Sequence, residues 1–373
     1  MSQQKVRYAL VGVGSNVYNM HKRGLDLPGM EIAAVCDIRE EPAKREAEAW
    51  NCPYYLDYKQ MIDEVKPDAF VVMVPHTLHA EMSIYAMRAG VNVLCEKPMA
   101  IHPAEADEMN RVAQETGKIL AINFQQRLRP EVVAAKELID EGRLGKIQHV
   151  DVKITWTRTY KYYREAGWRG TWAGEGGALL MNQAPHDLDM ICHLVGMPSR
   201  VYAWTPTIAH QIAPEDTAQA MLQWENGAMG NFHASTAESG QSQRFEIIGT
   251  GGYMQINKGT LSFASFDTDV VEFLKTSDNA FGAPKLVEQQ IDLDENFEGS
   301  HRDVHRDFYN AIVSGKPVSA NGTTGIQGLE LANAMIYSNY TGQAVDFPLN
   351  REKYAALLAD LRTLLHGRED LNT

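Results

Sequence analysis

Two side chains in this sequence are suited to moving a proton to or from an alcohol. Lys97 follows an apolar run that ends at Cys95, and Pro98 comes directly after it. A lysine at the carboxyl end of a parallel strand can hydrogen-bond a hydroxyl group and stabilise the developing alkoxide. His186 carries an imidazole, which titrates near neutrality and suits general acid–base catalysis. Taken alone, Lys97 is equally well explained as a surface lysine, and His186 as an ordinary histidine on a helix face. The surrounding residues therefore have to distinguish a catalytic role from these alternatives.

A helical pattern over residues 177–195 predicts the neighbours of His186. Asn182 lies four residues before it and Asp189 three residues after it, so on one regular helix all three share a face. An amide or a carboxylate at that position can orient the imidazole. The spacing therefore predicts a catalytic set of Lys97, His186 and Asn182.

A glycine turn follows the first apolar run of the chain, with the sequence Gly12-Val13-Gly14-Ser15-Asn16-Val17. Gly12 permits a tight turn, and Gly14 lets the backbone approach a pyrophosphate at the N-terminus of the next helix. Val17 stands where the usual fingerprint has a third glycine, which should hold helix and strand slightly further apart. We predict that Gly12, Gly14, Ser15 and Asn16 bind a dinucleotide.

The end of the second apolar run carries an acid that fits the same ligand. Asp37 lies 23 residues after Gly14 and can accept hydrogen bonds from the adenosine ribose hydroxyls. Its charge would repel a 2′-phosphate, which favours NAD. Arg39 could accommodate that phosphate, so NADP stays open. As an alternative, Asp37 could simply cap the helix that begins near Pro42.

The first third of the chain alternates apolar runs with helical segments, as repeated strand–helix–strand units do. The predicted strands cover residues 6–13, 32–36, 69–74, 91–95 and 119–122, and the predicted helices cover 41–50, 58–65, 78–89 and 103–116. This pattern predicts a Rossmann-type, doubly wound parallel sheet covered by helices. We place this α/β domain at residues 1–123.

The pattern changes after residue 124. Helices are predicted over residues 130–141, 177–195, 300–314 and 324–341, and a long strand over 146–156. Short alternating segments between residues 200 and 293 are typical of antiparallel hairpins. We therefore predict an α+β domain over residues 124–373, with an open, mostly antiparallel sheet and helices on one face.

Charge and composition exclude several classes of protein. Lys and Arg number 35 against 48 Asp and Glu, so the formal net charge is −13. A chain this acidic is repelled by phosphate backbones and anionic membranes, so we predict no nucleic-acid or membrane partner. The sequence shows no signal-peptide pattern, and its four cysteines are scattered without a CxxC pair. These features predict a cytoplasmic protein with free thiols.

The motifs together resemble one enzyme family. The glycine turn, Glu96-Lys97-Pro98 and the segment 176–189, with its glycine pair, His186 and Asp189, are similar to the Gfo/Idh/MocA oxidoreductases. That family is named for glucose-fructose oxidoreductase, inositol dehydrogenase and a rhizopine-catabolism protein, and the resemblance covers nearly the whole chain. It implies nicotinamide-dependent oxidation or reduction of a sugar, glycoside, inositol or related polyol.

The resemblance also implies roles for individual residues. Lys97 matches the lysine that binds the reacting oxygen, and His186 matches the acid–base histidine. Asn182 stands where the family often has an aspartate, and an amide can contact substrate but cannot carry charge or relay a proton. Arg127 resembles an arginine near the site entrance, and the resemblance implies that it contacts the substrate. Further positions along the cofactor are expected at Pro75, His76, His79, Glu96 and Lys97.

An aromatic and basic cluster precedes the glycine pair. Its members are Trp156, Tyr160, Tyr163, Trp168, Arg169 and Trp172. Aromatic faces stack on the C–H faces of sugar rings and Arg169 can bind hydroxyls, so we predict substrate contacts from Trp156, Tyr160, Trp168 and Arg169. At least half of the aromatics are equally explained as core or subunit contacts.

Three further expectations concern metals, assembly and function. His301 and His305 are one helical turn apart, but no acidic third ligand lies in a matching place, so we predict no metal. An open sheet leaves a wide apolar face, which predicts a homodimer or homotetramer through that sheet. Besides a sugar or polyol dehydrogenase, we consider an NAD-dependent redox-neutral glycosidase and a non-catalytic sugar or cofactor sensor.

Overall fold

The computed structural model of this chain describes residues 5–240, 243–294 and 296–363. Contacts divide the chain into two compact units. The first unit runs to Leu128 and includes Gly299–Leu329, and the second comprises Arg129–Glu298 and the chain from Glu330 onward.

A parallel sheet of six strands forms the centre of the first unit. The strands are β1 (Val6–Val11), β2 (Met30–Cys36), β3 (Tyr54–Tyr55), β4 (Ala69–Val72), β5 (Asn92–Cys95) and β6 (Leu120–Ile122). Their order is β3-β2-β1-β4-β5-β6. The strand order reverses between β1 and β4, and open α/β sheets bind ligands at that reversal, outside the carboxyl ends of the strands.

Helices connect these strands, and most begin and end where the sequence predicts. They are α1 (Tyr18–Lys22), α2 (Glu40–Trp50), α3 (Tyr58–Val65), α4 (His79–Arg88) and α5 (Pro103–Thr116). Pro103 occupies the first turn of α5, where its missing N–H costs no hydrogen bond. Gly117 ends the same helix at φ +63°, a conformation that glycine adopts without strain.

A sheet of nine strands forms the centre of the second unit. The strands are β7 (Ile147–Thr155), β8 (Arg200–Trp204), β9 (Thr217–Gln223), β10 (Met229–Ser235), β11 (Arg244–Gly249), β12 (Gly252–Asn257), β13 (Thr260–Phe266), β14 (Leu286–Gln289) and β15 (Val345–Asp346). All its neighbouring strands pair antiparallel except β7 and β10. The predicted fold class is confirmed.

Burial alternates along these strands with a period of two, which places one face of the sheet in the core. Val150, Val152 and Ile154 on β7 are buried. The exposed side chains of neighbouring strands include Trp204 and Met221, but also many polar groups. Assembly through this sheet stays a prediction.

Eight further α-helices lie in the residues that the structure describes. They are α6 (Pro130–Asp140), α7 (Tyr160–Arg164), α8 (Trp172–Glu175), α9 (Pro185–Val195), α10 (Val270–Thr276), α11 (His301–Ser314), α12 (Gly322–Thr341) and α13 (Arg351–Arg362). In the described part of the chain, no helix is long and apolar enough to cross a membrane.

The single helix predicted over residues 177–195 is wrong. A π-helical turn covers Leu179–Gln183, Ala184 leaves the helical conformation at φ −102° and ψ 3°, and α9 begins afresh at Pro185. Proline lacks the N–H that a continuous helix needs but fits a first turn. Asn182 and His186 therefore do not occupy one face of a regular helix.

Contacts among the described residues group the segment Gly299–Leu329 with the first unit. The boundary expected from the sequence instead placed this segment in a domain of residues 124–373. The reason is apolar packing on β1: the ring of Phe308 on α11 meets Tyr8 edge-on, with centroids 6.2 Å apart. Both rings are fully buried. Local composition does not predict that a distant segment of the chain returns to pack on the first unit.

Candidate functional site

In the turn after β1, a Cβ at either glycine would meet neighbouring atoms. Gly12 adopts φ +85°, and a Cβ there would clash with the carbonyl oxygen of Met73, next to the end of β4. A Cβ on Gly14 would clash with the guanidinium of Arg39 and lie 2.8 Å from a carboxylate oxygen of Asp37. At these two glycines the backbone carries no side chain beside the strand-order reversal. Such a turn fits a dinucleotide phosphate.

Asp37 follows β2 and faces the glycine turn. Its Oδ2 accepts a hydrogen bond of 2.7 Å from the backbone N–H of Gly14, and its Oδ1 accepts one of 3.0 Å from the N–H of Arg39. The Arg39 guanidinium lies 3.3 Å from the same carboxylate and donates to the Gly14 carbonyl at 2.7 Å. A carboxylate and a guanidinium therefore both lie beside the position predicted for the adenosine ribose.

Ser15 and Asn16 lie in the same turn. The Ser15 hydroxyl accepts a hydrogen bond of 3.3 Å from the N–H of Tyr18, which begins α1. Asn16 is exposed. Ser15 thus supports the turn, while the side chain of Asn16 is available to a ligand.

Glu96 and Lys97 follow β5, at the same carboxyl edge of the sheet. Glu96 is buried, and its Oε2 accepts a hydrogen bond of 3.1 Å from the backbone N–H of Lys97. The Lys97 side chain is half-buried, and the Lys97–Pro98 peptide bond is cis. The sheet order therefore places the glycine turn, Asp37 and Lys97 along one edge of the first unit.

The loop after β4 holds the three residues expected along the cofactor. Pro75 is exposed, His76 is buried and His79 is inaccessible to solvent. The ring nitrogens of His79 lie 2.8 Å from the backbone carbonyls of Pro98 and Val74, and burial lowers the pKa of this histidine. This geometry gives His79 a role in holding the Lys97–Pro98 turn rather than in touching a ligand.

Arg127 is enclosed within the first unit. Only 3% of its surface is exposed, and its guanidinium donates to the Ser319 carbonyl at 2.8 Å and to the Thr324 hydroxyl at 3.0 Å. These contacts support a structural role and not the substrate contact that the resemblance implied.

We expect Arg127→Ala to lower the free energy of unfolding by about 1–3 kcal/mol, because buried acceptors lose their donor. The Michaelis constant for substrate should change less than about twofold. Urea denaturation and steady-state kinetics measure the two effects, with the exposed Arg88→Ala as control. A raised Michaelis constant at unchanged stability would restore the substrate role.

Asn182 lies in the π-helical turn of the second unit, next to a buried acid. Its amide donates a hydrogen bond to Oε1 of Glu175, whose Oε2 accepts one of 2.6 Å from the N–H of Gly170. His186 lies in the first turn of α9 and is 9% exposed. Sequence reasoning missed Glu175, although it lies directly before the glycine pair.

A second buried acid, Glu215, lies behind the same turn. Its Oε1 accepts hydrogen bonds from the N–H groups of Ala178 and Leu180 at 3.1 and 2.9 Å. Burial raises the pKa of Glu175 and of Glu215 to about 7 in each case, against the opposing effect of their hydrogen bonds. The second unit thus holds two carboxyls that titrate near neutrality.

These carboxyls should make stability depend on pH. Between about pH 4.5 and 7 the unfolded chain has lost both protons while the folded chain keeps them, so the free energy of unfolding falls as the pH rises. The loss amounts to a few kcal/mol for each carboxyl, since one pKa unit corresponds to about 1.4 kcal/mol. We expect Glu175→Gln and Glu215→Gln to weaken this slope in denaturation series. The prediction would be contradicted if the free energy of unfolding of both variants depended on pH as steeply as that of the wild type.

The aromatic and basic cluster forms two groups, and the first contains Trp172, Tyr163 and Tyr160. Trp172 and Tyr163 are buried, as expected of core residues. Tyr160 is exposed and donates to the carbonyl of Ala209 at 2.8 Å. Trp168 and Trp156 belong to the other group.

That other group centres on Tyr162 and Gln183, which the sequence did not single out. The Arg169 guanidinium lies 4.4 Å from the Tyr162 ring centre and 5.4 Å from that of Trp168. Gln183 accepts from the Trp156 indole N–H at 3.1 Å and donates to the Tyr162 hydroxyl at 2.7 Å. Half-buried aromatic faces beside a guanidinium suit a sugar ring and its hydroxyls.

Two family sequence profiles match the chain. Residues 6–124 match an oxidoreductase family with an NAD-binding Rossmann fold, and residues 132–255 match the GFO/IDH/MocA C-terminal domain. Together the two matches span most of the chain, and they confirm the resemblance and the NAD-binding domain.

Similar proteins include two sugar dehydrogenases. D-glucoside 3-dehydrogenase of Escherichia coli (strain K12) is 31% identical over 204 residues, which span 53% of this chain and 56% of that enzyme. Levoglucosan dehydrogenase of Pseudarthrobacter phenanthrenivorans is 26% identical over 343 residues, 78% of this chain and 83% of that enzyme.

A solved structure extends the likeness to the whole fold. The WlbA dehydrogenase from Bordetella pertussis, in complex with NADH and UDP-GlcNAcA, is 28% identical with a TM-score of 0.79. The match covers 93% of this chain and 100% of that one. The glycine turn, the sheet order and both profile matches agree, and this chain belongs to the Gfo/Idh/MocA family of NAD-binding oxidoreductases.

Proposed function

We propose that this enzyme oxidises or reduces a secondary alcohol on the ring of a sugar, glycoside or inositol, with NAD as the preferred cofactor. The observation that carries the proposal is the carboxyl edge of the first sheet. There the bare glycine turn, the ribose-binding acid Asp37 and Lys97 follow strands of one parallel sheet. The names of the two dehydrogenases above support a carbohydrate substrate.

Individual residues of this chain have separate roles in the proposed reaction. The backbone of Gly12 and Gly14 takes the pyrophosphate, and Asp37 accepts hydrogen bonds from the adenosine ribose. When bound, NAD would supply a nicotinamide ring able to accept the hydride that leaves the carbinol carbon during oxidation. Lys97 hydrogen-bonds the reacting oxygen and stabilises its negative charge, while His186 takes the hydroxyl proton during oxidation and returns it during reduction.

Asn182 contributes binding rather than proton transfer. Its amide donates to Glu175 and accepts from Gln183 at 3.2 Å, so its orientation is fixed by neighbours in the second unit. A fixed amide can contact a substrate hydroxyl without changing its charge. The half-buried Trp156, Trp168 and Arg169 are proposed to contact the substrate through ring faces and hydroxyls.

The direct test mixes the purified chain with NAD or NADP and a panel of inositols, free hexoses and alkyl glycosides. Reduced-nicotinamide absorbance should rise with at least one polyol and faster with NAD than with NADP. No turnover of any alcohol by a chain that binds NAD would overturn the dehydrogenase. Release of the aryl group from aryl glycosides without net NAD reduction would instead identify a redox-neutral glycosidase. Binding of a sugar without any turnover would identify a sensor.

A further inference from the structure

A buried polar cluster lies beside Lys97 and has no part in the proposed reaction. His21 lies in the last turn of α1, Glu96 follows β5, Asn123 follows β6 and His301 begins α11. All belong to the first unit. His21 and Asn123 are at most 1% exposed and Glu96 is 5% exposed, while the His301 side chain reaches the surface with 12%.

The side chains of this cluster converge on a single carboxylate oxygen. His21 Nε2 lies 2.7 Å from Glu96 Oε1, and His301 Nε2 lies 3.7 Å from the same atom. The Asn123 amide also hydrogen-bonds it. The two imidazole nitrogens and the carboxylate oxygen all lie within 4.8 Å of one another.

The buried carboxylate of Glu96 accepts hydrogen bonds from the Lys97 backbone N–H and the Asn123 amide, neither of which carries a charge. Its ion-pair partners among the described residues are the imidazoles of His21 and His301. Buried charges are normally paired with an opposite charge or bind a metal ion. A cation bound between Glu96 Oε1 and the two imidazole nitrogens would supply such an opposite charge.

A third histidine fixes the orientation of His21. His21 Nδ1 lies 2.9 Å from Nε2 of the buried His305, so the far side of the ring is held by the protein. Metal-binding histidines typically have their second ring nitrogen held in this way. The imidazole of His21 therefore presents Nε2 to the cluster in one direction.

Asn123 can add an oxygen to the same set. As placed, its Nδ2 points to Glu96, while its buried Oδ1 has no hydrogen-bond partner among the described residues. The two amide atoms differ only by a half-turn of the side-chain amide. The reversed orientation places Oδ1 beside His21 Nε2 and Glu96 Oε1, where a cation bound between them would become its partner.

We propose that His21, Glu96 and His301 bind one first-row divalent cation such as Zn²⁺, with the Asn123 amide oxygen as a further ligand. Two imidazoles and a carboxylate are a donor set that these ions prefer. Ligand atoms around tetrahedral Zn²⁺ are roughly 3.3 Å apart, given bonds of about 2.0–2.1 Å. The two imidazole nitrogens lie 2.7 and 3.7 Å from Glu96 Oε1, on either side of that value, so the side chains must rotate to reach it. The acid that the sequence did not place near His301 and His305 is Glu96.

The test measures metal binding by the full, untagged chain. After chelation and dialysis, Zn²⁺ is titrated by calorimetry, and bound zinc is counted by elemental analysis. We expect one high-affinity zinc per chain and a Zn²⁺-dependent rise in melting temperature. His301→Gln and Glu96→Gln should each weaken binding by about a hundredfold or more, and His305→Ala by about 10–100-fold. His233→Gln, in a His–Glu pair of the second unit, is the matched control.

Two results would overturn the site. One is the absence of stoichiometric Zn²⁺ and Co²⁺ binding to the wild type. The other is unchanged zinc affinity in His301→Gln, whose folding can be checked by circular dichroism. Visible absorption of the Co²⁺-loaded chain reports nitrogen and oxygen ligands directly, and loss of that band in Glu96→Gln would support the carboxylate ligand.

Discussion

Lys97→Met and His186→Ala should each lower kcat/KM for the preferred polyol by about 10²–10⁴-fold. That range is typical of the loss of a group that transfers a proton or stabilises developing charge. His186→Ala should leave the dissociation constant for NAD unchanged, because His186 belongs to the second unit, outside the nucleotide-binding sheet. Stopped-flow or steady-state absorbance of reduced nicotinamide measures the first effect, and fluorescence titration measures the second.

The chain offers controls for both variants. His193 lies on α9 like His186, and Lys316 is an exposed lysine of the first unit. We expect His193→Ala and Lys316→Met to keep near wild-type kcat/KM. The double variant of Lys97 and His186 should lose much less than the product of the single effects if the two act as a unit. Retention of more than a tenth of the activity in His186→Ala would remove it from the proposed mechanism.

Substitutions at Asp37 and Arg39 should shift cofactor preference in opposite directions. Asp37→Ser removes a charged acceptor for the ribose hydroxyls, and we expect NAD affinity to fall about 10–100-fold, since such hydrogen bonds contribute about 1.5–3 kcal/mol. The same change removes the charge that repels a 2′-phosphate, so NADP should lose less affinity or gain some. Arg39→Ala should weaken NADP and leave NAD nearly unchanged, because the guanidinium is the cation beside Asp37.

Titration of each variant with both cofactors measures the ratio of the two dissociation constants. Asp63→Ser, an exposed acid that bonds the Tyr85 hydroxyl, is the control for general effects of losing a carboxylate. The assignment of Asp37 would fail if its replacement left the NAD to NADP ratio unchanged. Because Asp37 also accepts the Gly14 N–H, thermal unfolding of Asp37→Ser should be measured alongside.

Local sequence patterns predicted the architecture of both units well. The apolar runs of the first unit match β1, β2, β4, β5 and β6 within a few residues, and the predicted helix over 103–116 is α5 as observed. Apolar runs, proline at helix starts and glycine past helix ends act through neighbours in the chain. For the same reason the two-residue β3 and the short α7 and α8 were not predicted, since each is too brief for a periodic signal.

Local patterns failed where a distant segment determines the environment of a side chain. Arg127 has the type of a ligand-binding residue, yet its partners Ser319 and Thr324 return to it from far along the chain. His79 is likewise enclosed by carbonyls on either side of the β5 turn. Burial and pairing of such groups depend on which segments pack together, and spacing along the chain carries no record of that.

The sequence by itself determined the fold class, the family and the residue types at the cofactor edge, because glycine turns, strand ends and short motifs are local. The tertiary structure alone decided which polar groups share one environment. It placed Glu175 against Asn182 and brought His21 and His301 to Glu96. Hydrogen bonding and desolvation act over a few ångströms in space, so these partnerships exist only once distant parts of the chain have packed.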